Sequence, residues 1–195
     1  CIRDRQSSSY FSRGCDYTRT IGIWQTVWLE FLPSQYLREV RAVTDFRNGT
    51  VTFSATVDAK KVSGSILTRI SFEGKPVAEA EVAASAPITQ YTVSVKDVRL
   101  WEPGSPNLYD VEYILKDGGN ETDRVKSYFG FRTVELSGRF VLLNGKPIFQ
   151  RTILDQGFYP DGIYTAPTDE ALKKDIELSM SLGFNGARLH LSLIH

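Results

Sequence analysis

Three polar side chains near the carboxyl-terminal end of the chain have types and positions that could support chemistry on a bound ligand. Asp155 ends a predicted strand over 147–154. Arg188 and His190 lie in a second predicted strand, 184–191, and share one face because strand side chains alternate. A carboxylate can accept hydrogen bonds from ligand hydroxyl groups, and a charge inside a strand is costly unless it is paired. We therefore treat these three residues as candidate ligand-binding residues.

Each candidate also has a purely structural interpretation. Asp155 could cap the turn at Gln156-Gly157, and Arg188 could form a salt bridge within the wall of the sheet. Aromatic residues in the loop after Asp155 could stack on an apolar ligand face or pack against the next helix, and they are Phe158, Tyr159 and Tyr164. The residues alone leave these alternatives open.

A strand–helix–strand segment is predicted to position the candidates. Thr168 can cap a helix, and the acidic residues at 169–170 complement the helix dipole. Gly183 ends the helix in a left-handed conformation. The apolar face of the helix is predicted to consist of Leu172, Ile176 and Met180. This order of elements implies a parallel sheet or barrel, in which side chains converge at the carboxyl ends of the strands.

Short alternating strands dominate the middle of the chain, from about residue 35 to residue 136. In the segment 50–57, Val51, Phe53, Ala55 and Val57 are predicted to face inward. Asn48-Gly49 is a hairpin signal because both positions of such a turn need positive φ. About seven strands separated by turn residues, the last of them over 128–136, predict an immunoglobulin-like sandwich.

The amino-terminal part of the chain is rich in β-branched and aromatic residues between 17 and 31, with Gly22 interrupting them. We predict two strands or one bent strand here, and these strands must complete a sheet formed with chain further upstream. Trp24 and Trp28 would share a face and belong to a core.

The composition of the chain argues against several classes of binding partner. The 23 basic and 23 acidic residues balance, so the chain has no long-range field to attract nucleic acid or an anionic membrane. No apolar run approaches the ~20 residues that span a bilayer. Cys1 and Cys15 could pair in an oxidising compartment, but two cysteines and two histidines predict no metal site. No cofactor is expected.

Five stretches occur in a characteristic order along the chain. They are 22–30 (GIWQTVWLE), 100–109 (LWEPGSPNLY), 129–132 (FGFR), 140–147 (FVLLNGKP) and 183–188 (GFNGAR). In order and spacing they resemble glycoside hydrolase family 2, the family of β-galactosidases, β-glucuronidases and β-mannosidases. Trp101, within the second stretch, is expected to anchor a turn of the sandwich.

The resemblance implies a mainly β fold of three parts. Residues 1–33 would end a sugar-binding jelly roll, 34–136 would form the immunoglobulin-like β-sandwich, and 137–195 would begin a TIM barrel. It also implies that the parent protein is a retaining glycosidase, which hydrolyses O-glycosidic bonds at the non-reducing end of β-linked glycans. That chemistry needs two carboxylates. In the family both lie on later barrel strands, so no catalytic residue is assigned here and the chain alone is expected to be inactive.

The resemblance also assigns roles to the three candidates as substrate-binding residues. Arg188 matches an arginine that supports the active-site carboxylates in the family, while Asp155 and His190 would bind the sugar. Family members often carry a histidine one residue further on, within Ser-His-Tyr-Pro. The segment 191–195 (LSLIH) departs from that continuation.

A second function class stays open from the sequence. A carbohydrate-binding or adhesion module could use the same sandwich without catalysis. The strand–helix–strand segment argues against it, since such a module has no reason to begin a parallel barrel. Sheet edges left open at both ends of the chain could also pair copies into a homo-oligomer.

Overall fold

The structure is a computed structural model that describes Ser7, Phe11 and residues 18–19, 22–23 and 26–189. The chain divides into two compact units, of which one is residues 30–148 and the other combines 1–29 with 149–195. We call the first the sandwich unit and the second the strand–helix–strand unit. The described residues are mainly β, with one α-helix among them.

The elements follow one another in a simple order. The sandwich unit contains β1 (Gln35–Asp45), β2 (Thr50–Ala59), β3 (Ser65–Phe72), β4 (Lys75–Ala83), β5 (Ile88–Ser94), β6 (Trp101–Glu102), β7 (Ser105–Pro106), β8 (Tyr109–Asp117), β9 (Asn120–Phe129), β10 (Val134–Ser137), β11 (Phe140–Leu143) and β12 (Lys146–Pro147). The strand–helix–strand unit contains β13 (Thr152–Asp155), α1 (Asp169–Ser181) and β14 (Gly186–Leu189).

Two antiparallel sheets form the sandwich. Strands pair in the order β1–β2–β5 in one sheet and β4–β3–β8–β9 in the other. The core lies between them and is centred on Phe53, whose ring lies 5.5 Å from those of Tyr91 and Tyr113 and 5.9 Å from that of Phe129. The residues predicted to face inward on β2 are all buried, namely Val51, Phe53, Ala55 and Val57.

The last strand of the sandwich differs from the prediction. A closing strand was expected over 128–136, whereas β9 spans Asn120–Phe129 and β10 is a separate short strand. Most side chains of β9 are polar because one face of this edge strand meets solvent, so its sequence lacks a clear apolar alternation. β9 also closes the sandwich, since an Asp123 carboxylate oxygen accepts the backbone N–H of Leu37 in β1 at 2.8 Å.

The LWEPGSPNLY segment builds a hydrogen-bonded corner. β6 pairs with β7 across this turn, and the Asn107 amide donates to the carbonyl of Leu100 at 2.8 Å. The hydroxyl of the buried Tyr109 accepts the backbone N–H of Arg99 at 2.7 Å. The guanidinium of Arg132 lies 4.7 Å from the Trp101 ring centroid. The predicted role of Trp101 as a turn anchor agrees with this packing.

Two Asn-Gly turns adopt different conformations. Asn144 and Gly145 both have positive φ, 53° and 78°, and connect β11 directly to β12 as a two-residue turn. At the first predicted turn only Gly49 has positive φ, 63°, because β1 and β2 are joined by the four residues 46–49. The dipeptide at 48–49 therefore marks a hairpin, as predicted, but the predicted pair of positive φ values is wrong at Asn48.

The outer face of the four-stranded sheet carries an apolar pair under charged side chains. Leu67 and Ile114 are cross-strand partners and are only 5% and 3% exposed, although neither belongs to the inner core. Their neighbours on the flanking strands are Glu81 and Arg124. The stems of long charged side chains can cover apolar surface. Ion pairs of Lys116 with Glu81, at 3.2 Å, and of Arg124 with Glu112, at 2.7 Å, hold this cover in place.

The amino-terminal strands predicted over 17–31 are not found in the described part of that segment. Residues 26–31 form no strand, and Val27, Trp28 and Leu29 are exposed. A strand needs a paired neighbour, and none of the described strands pairs with this segment. Trp24, Cys1 and Cys15 lie outside the described residues. No helix in the described part of the chain combines the length and apolarity needed to cross a membrane.

Candidate functional site

A pair of parallel strands forms the base of the candidate site. β13 pairs with β14 in the register Thr152–Gly186, Ile153–Ala187, Leu154–Arg188 and Asp155–Leu189. The carboxyl ends of both strands therefore lie at the same edge, where ligands bind in parallel sheets. Strands were predicted over 147–154 and 184–191, and among the described residues the pairing covers four residues in each, while 190–191 lie outside the described residues.

Asn185 sets this register, and sequence reasoning assigned it no role. Its side-chain oxygen accepts the N–H of Arg151 at 2.8 Å, and its amide donates to the carbonyl of Phe149 at 2.9 Å. The backbone N–H of Asn185 donates to the carbonyl of Arg151 at 2.9 Å. The Arg151 side chain adds a bond from Nε to the carbonyl of Gly183 at 2.7 Å. The sequence did contain a sign that Asn185 is important, because it lies in GFNGAR, one of the five characteristic stretches.

Asp155 lies at the carboxyl end of β13, as predicted. One carboxylate oxygen, Oδ1, accepts the backbone N–H of Gly157 at 2.8 Å. This bond is the turn-capping interaction foreseen for Asp155. The side chain is exposed, so capping through Oδ1 leaves the carboxylate accessible to a ligand.

Arg188 and Asp155 do not share a face of the strand pair. Arg188 is aligned with Leu154, and adjacent residues of a strand project to opposite sides. Arg188 is exposed, and among the described residues it forms no ion pair. His190 lies outside the described residues. The two described candidates are thus neighbours along the edge without converging on one point.

The loop after Asp155 is internally organised. Tyr159 and Ile163 exchange two backbone hydrogen bonds of 2.8 Å, and Ile163 has a positive φ of 58°. The Tyr159 hydroxyl donates to Asp175 of α1 at 2.8 Å, and this hydrogen bond raises the pKa of Tyr159. Phe158 and Tyr164 meet edge to face with centroids 6.5 Å apart. For Tyr159, the structure favours packing against the helix over presentation to a ligand.

The helix begins and ends as predicted. The hydroxyl of Thr168 accepts the backbone N–H of Ala171 at 3.2 Å, and Gly183 has a φ of 87° just beyond the last turn. The predicted apolar face of α1 is exposed rather than packed, since Leu172 is 47%, Ile176 62% and Met180 59% exposed. The acidic side chains of α1 lie on its surface, and Glu177 pairs with Lys173 at 3.6 Å.

An open groove of about 790 Å³ lies on the four-stranded sheet of the sandwich unit. Glu79 and Glu112 line it, and each is held by an arginine, Glu79 by Arg69 at 2.8 Å and Glu112 by Arg124 at 2.7 Å. Glu79 and Glu81 are two residues apart in β4 and share its exposed face. In the described ranges no three His, Cys, Asp or Glu side chains form a group that could hold a metal ion.

Comparison with known proteins relates this architecture to enzymes. The chain is 29% identical to a putative β-glucuronidase of Formosa agariphila over 94% of its length and 22% of the relative. It is 28% identical to a β-galactosidase of Oenococcus oeni over 94% of its length and 19% of the relative. The chain therefore spans about a fifth of the length of these curated relatives.

A solved structure supports the fold. A family 2 glycosyl hydrolase from Bacteroides cellulosilyticus superimposes with a TM-score of 0.73 and 22% identity, over 82% of this chain and 22% of that one. The sequence profile of the family described as glycosyl hydrolases family 2 matches residues 35–132, which is half of the chain and coincides with the seven long strands. The chain belongs to glycosyl hydrolases family 2.

Proposed function

We propose that this chain is part of a longer retaining glycosidase that hydrolyses O-glycosidic bonds at the non-reducing end of β-linked glycans. The observation that carries the proposal is the family match over residues 35–132. It is supported by relatives described as β-glucuronidase and β-galactosidase, of which the chain spans about a fifth. The two catalytic glutamates would lie in the part of the enzyme that this chain does not include.

The finer architecture belongs to the same proposal. Residues 34–136 would be an immunoglobulin-like domain, a reading supported by its sheets of three and four antiparallel strands. Residues 137–195 would begin a TIM barrel, supported by the parallel pairing of β13 and β14 across α1. Residues 1–33 would end a jelly-roll domain, an assignment that rests on the GIWQTVWLE stretch alone.

The candidate residues would act at the carboxyl edge of these strands. Asp155 would accept hydrogen bonds from sugar hydroxyls through its oxygen that does not cap Gly157. Arg188, with no ion-pair partner in the described part of the chain, would pair with a carboxylate from a later strand. His190 would lie on the Arg188 face by alternation. In this proposal two carboxylates carry the reaction, and it invokes no cofactor or metal.

The test compares the longer protein with the isolated chain on aryl β-glucuronide, β-galactoside and β-mannoside. We expect the longer protein to release the aryl alcohol from at least one substrate, while the isolated chain stays at the buffer blank. Proton NMR early in the reaction should show the β-anomer as the first product, because a retaining enzyme displaces twice at the anomeric carbon. Turnover by the isolated chain that disappears on substitution of one of its acidic residues would place the catalytic machinery in this segment and contradict the proposal.

A further inference from the structure

Three Asn-Gly dipeptides occur in the chain, at 48–49, 144–145 and 185–186. This dipeptide is chemically labile because the backbone nitrogen of glycine can attack the side-chain carbonyl carbon of the preceding asparagine. Glycine has no side chain to hinder that approach. The attack requires the asparagine side chain to rotate toward the following backbone nitrogen. A side-chain amide held at both ends by other segments cannot make this rotation.

Asn144 is held at both ends. Its side-chain oxygen accepts the backbone N–H of Thr133 at 3.1 Å, and its amide donates to the carbonyl of Trp101 at 3.0 Å. Its backbone N–H donates to the carbonyl of Thr133 at 3.0 Å. The residue is half-buried. Rotation of the Asn144 side chain would break both side-chain bonds to the sandwich.

Asn185 is held in the same way. Its side-chain oxygen and amide are bonded to the backbone of Arg151 and Phe149, at 2.8 and 2.9 Å, and the residue is half-buried. Gly186 belongs to β14 and pairs with Thr152. The reacting groups at this dipeptide are therefore fixed by the parallel strand pair.

Asn48 differs from both. It is exposed, and its amide donates to a single side chain, the Asp45 carboxylate, at 2.6 Å. Its side-chain oxygen accepts no hydrogen bond from any described residue. Asp45 is the last residue of β1, directly before the connection 46–49, so its bond to Asn48 stays within one hairpin and does not anchor Asn48 to another segment. Water has free access to the Asn48 amide.

We propose that Asn48 is the site of spontaneous deamidation in the folded protein, and that the fold protects Asn144 and Asn185. The Gly49 nitrogen bonds to Cγ of Asn48 and loses its proton, while the C–N bond to the side-chain amide breaks and ammonia leaves. Water then opens the resulting cyclic imide at either carbonyl and yields aspartate or isoaspartate at position 48. Water is the only co-reactant, and no oxidation or reduction occurs.

The product would disturb the β1–β2 hairpin. The new carboxylate replaces the amide that now donates to Asp45, and this hydrogen bond is the largest cause of the lowered pKa of Asp45. Two like charges would face each other where a donor and an acceptor meet now. Isoaspartate would in addition insert an extra backbone atom into the hairpin connection.

The experiment follows ammonia loss at each dipeptide by peptide mass mapping of the purified chain. The chain is incubated in mildly alkaline buffer, once folded and once in concentrated urea, and isoaspartate is quantified in parallel. In the folded sample we expect Asn48 to react at least about tenfold faster than Asn144 and Asn185, a ratio equivalent to ~1.4 kcal/mol in barrier. In urea, the three sites should react at similar rates because the hydrogen bonds that distinguish them are lost.

The Asn48→Gln variant is the matched control. Glutamine keeps the amide and its hydrogen-bonding capacity but would have to form a larger ring, so isoaspartate in the folded variant should fall to the level contributed by the two protected sites. Equal rates at the three sites in the folded chain would overturn the proposal. A folded-state rate at Asn48 about tenfold below its rate in urea would also overturn it, because the fold would then protect this site as well.

Discussion

Arg188 shows how strand register restricts the function of a single side chain. It is aligned with Leu154, and Asp155 projects from the opposite face. The two residues therefore cannot bind the same ligand atom from within this strand pair. The proposed role of Arg188 requires a carboxylate on its own face, and that partner must come from another part of the protein.

We predict that Arg188→Lys in the proposed longer glycosidase lowers kcat/KM by one to two orders of magnitude while the melting temperature changes little. Lysine keeps the charge but loses the planar two-pronged donor set. Loss of one charge-assisted hydrogen bond costs about 1.5–3 kcal/mol, which corresponds to this range of rates. Steady-state kinetics and thermal unfolding on one preparation measure both quantities.

Arg151→Lys is the control for this prediction. The Arg151 side chain bonds to the carbonyl of Gly183, in the turn that leads into β14. This variant should lower the melting temperature and leave the folded enzyme with nearly normal kinetics. If Arg188→Lys shows that same pattern, Arg188 is a structural residue and leaves the list of candidate site residues.

The sequence could place the candidate residues but not their partners. Asp155 at a strand end and Thr168 at a helix start follow from local patterns, and both lie where they were predicted. The role of Asn185 depends on Arg151, which is distant in sequence and is brought close only by the parallel pairing. The bond from Tyr159 to Asp175 depends equally on how the loop turns back onto α1. Such contacts depend on tertiary structure, which a linear pattern does not encode.

At the scale of the element, strands with one clearly buried face were the easiest to predict from the sequence. β2 alternates between a buried and a solvent-facing side, so its apolar period was readable and its inward residues were predicted correctly. β9 is an edge strand that exposes Arg124 and Lys126. Because most of its side chains are polar, its sequence shows no clear alternation of apolar and polar residues. β3 and β8 add a complication, because Leu67 and Ile114 are buried on the face that should meet solvent.

We predict that Ile114→Ala destabilises the sandwich by about 2–5 kcal/mol, as expected for a buried isoleucine. The side chain is 3% exposed between Leu67 and Arg124, so its loss leaves a cavity beneath charged groups. Urea unfolding of the chain, followed by circular dichroism, gives the change in the free energy of unfolding.

Val43→Ala is the matched control, since Val43 is a strand residue on an outer face with 55% exposure. This substitution should cost less than about 1 kcal/mol. Equal losses in the two variants would mean that the charged cover does not bury Ile114 in solution.

At the scale of the whole molecule, both units expose apolar side chains. In the sandwich unit, Leu136 is 81% and Val134 is 63% exposed, and in the other unit Phe149 is 78% exposed. Large exposed apolar patches mark interaction sites or cause association. The free edges of the two sheets add unpaired backbone groups.

We predict that the isolated chain associates with itself as its concentration rises. Light scattering coupled to size exclusion should give a mass above the 21.9 kDa of one chain, and the excess should grow with concentration. Leu136→Ser should reduce this association, because it removes the most exposed large apolar side chain of the β10–β11 hairpin. A constant mass of one chain over the whole concentration range would contradict the prediction.

The parallel pairing of β13 and β14 also has a mechanical consequence. Traction applied at Thr152 and Leu189 runs along both strands and shears every rung of the ladder at once, together with the bonds between Asn185 and Arg151. An antiparallel hairpin such as β1–β2, pulled at its open ends, instead peels apart one rung at a time. A molecular motor that unfolds the chain by pulling it would therefore open the hairpins one hydrogen-bonded pair at a time. The parallel strand pair would instead resist the pull until all of its hydrogen bonds break together.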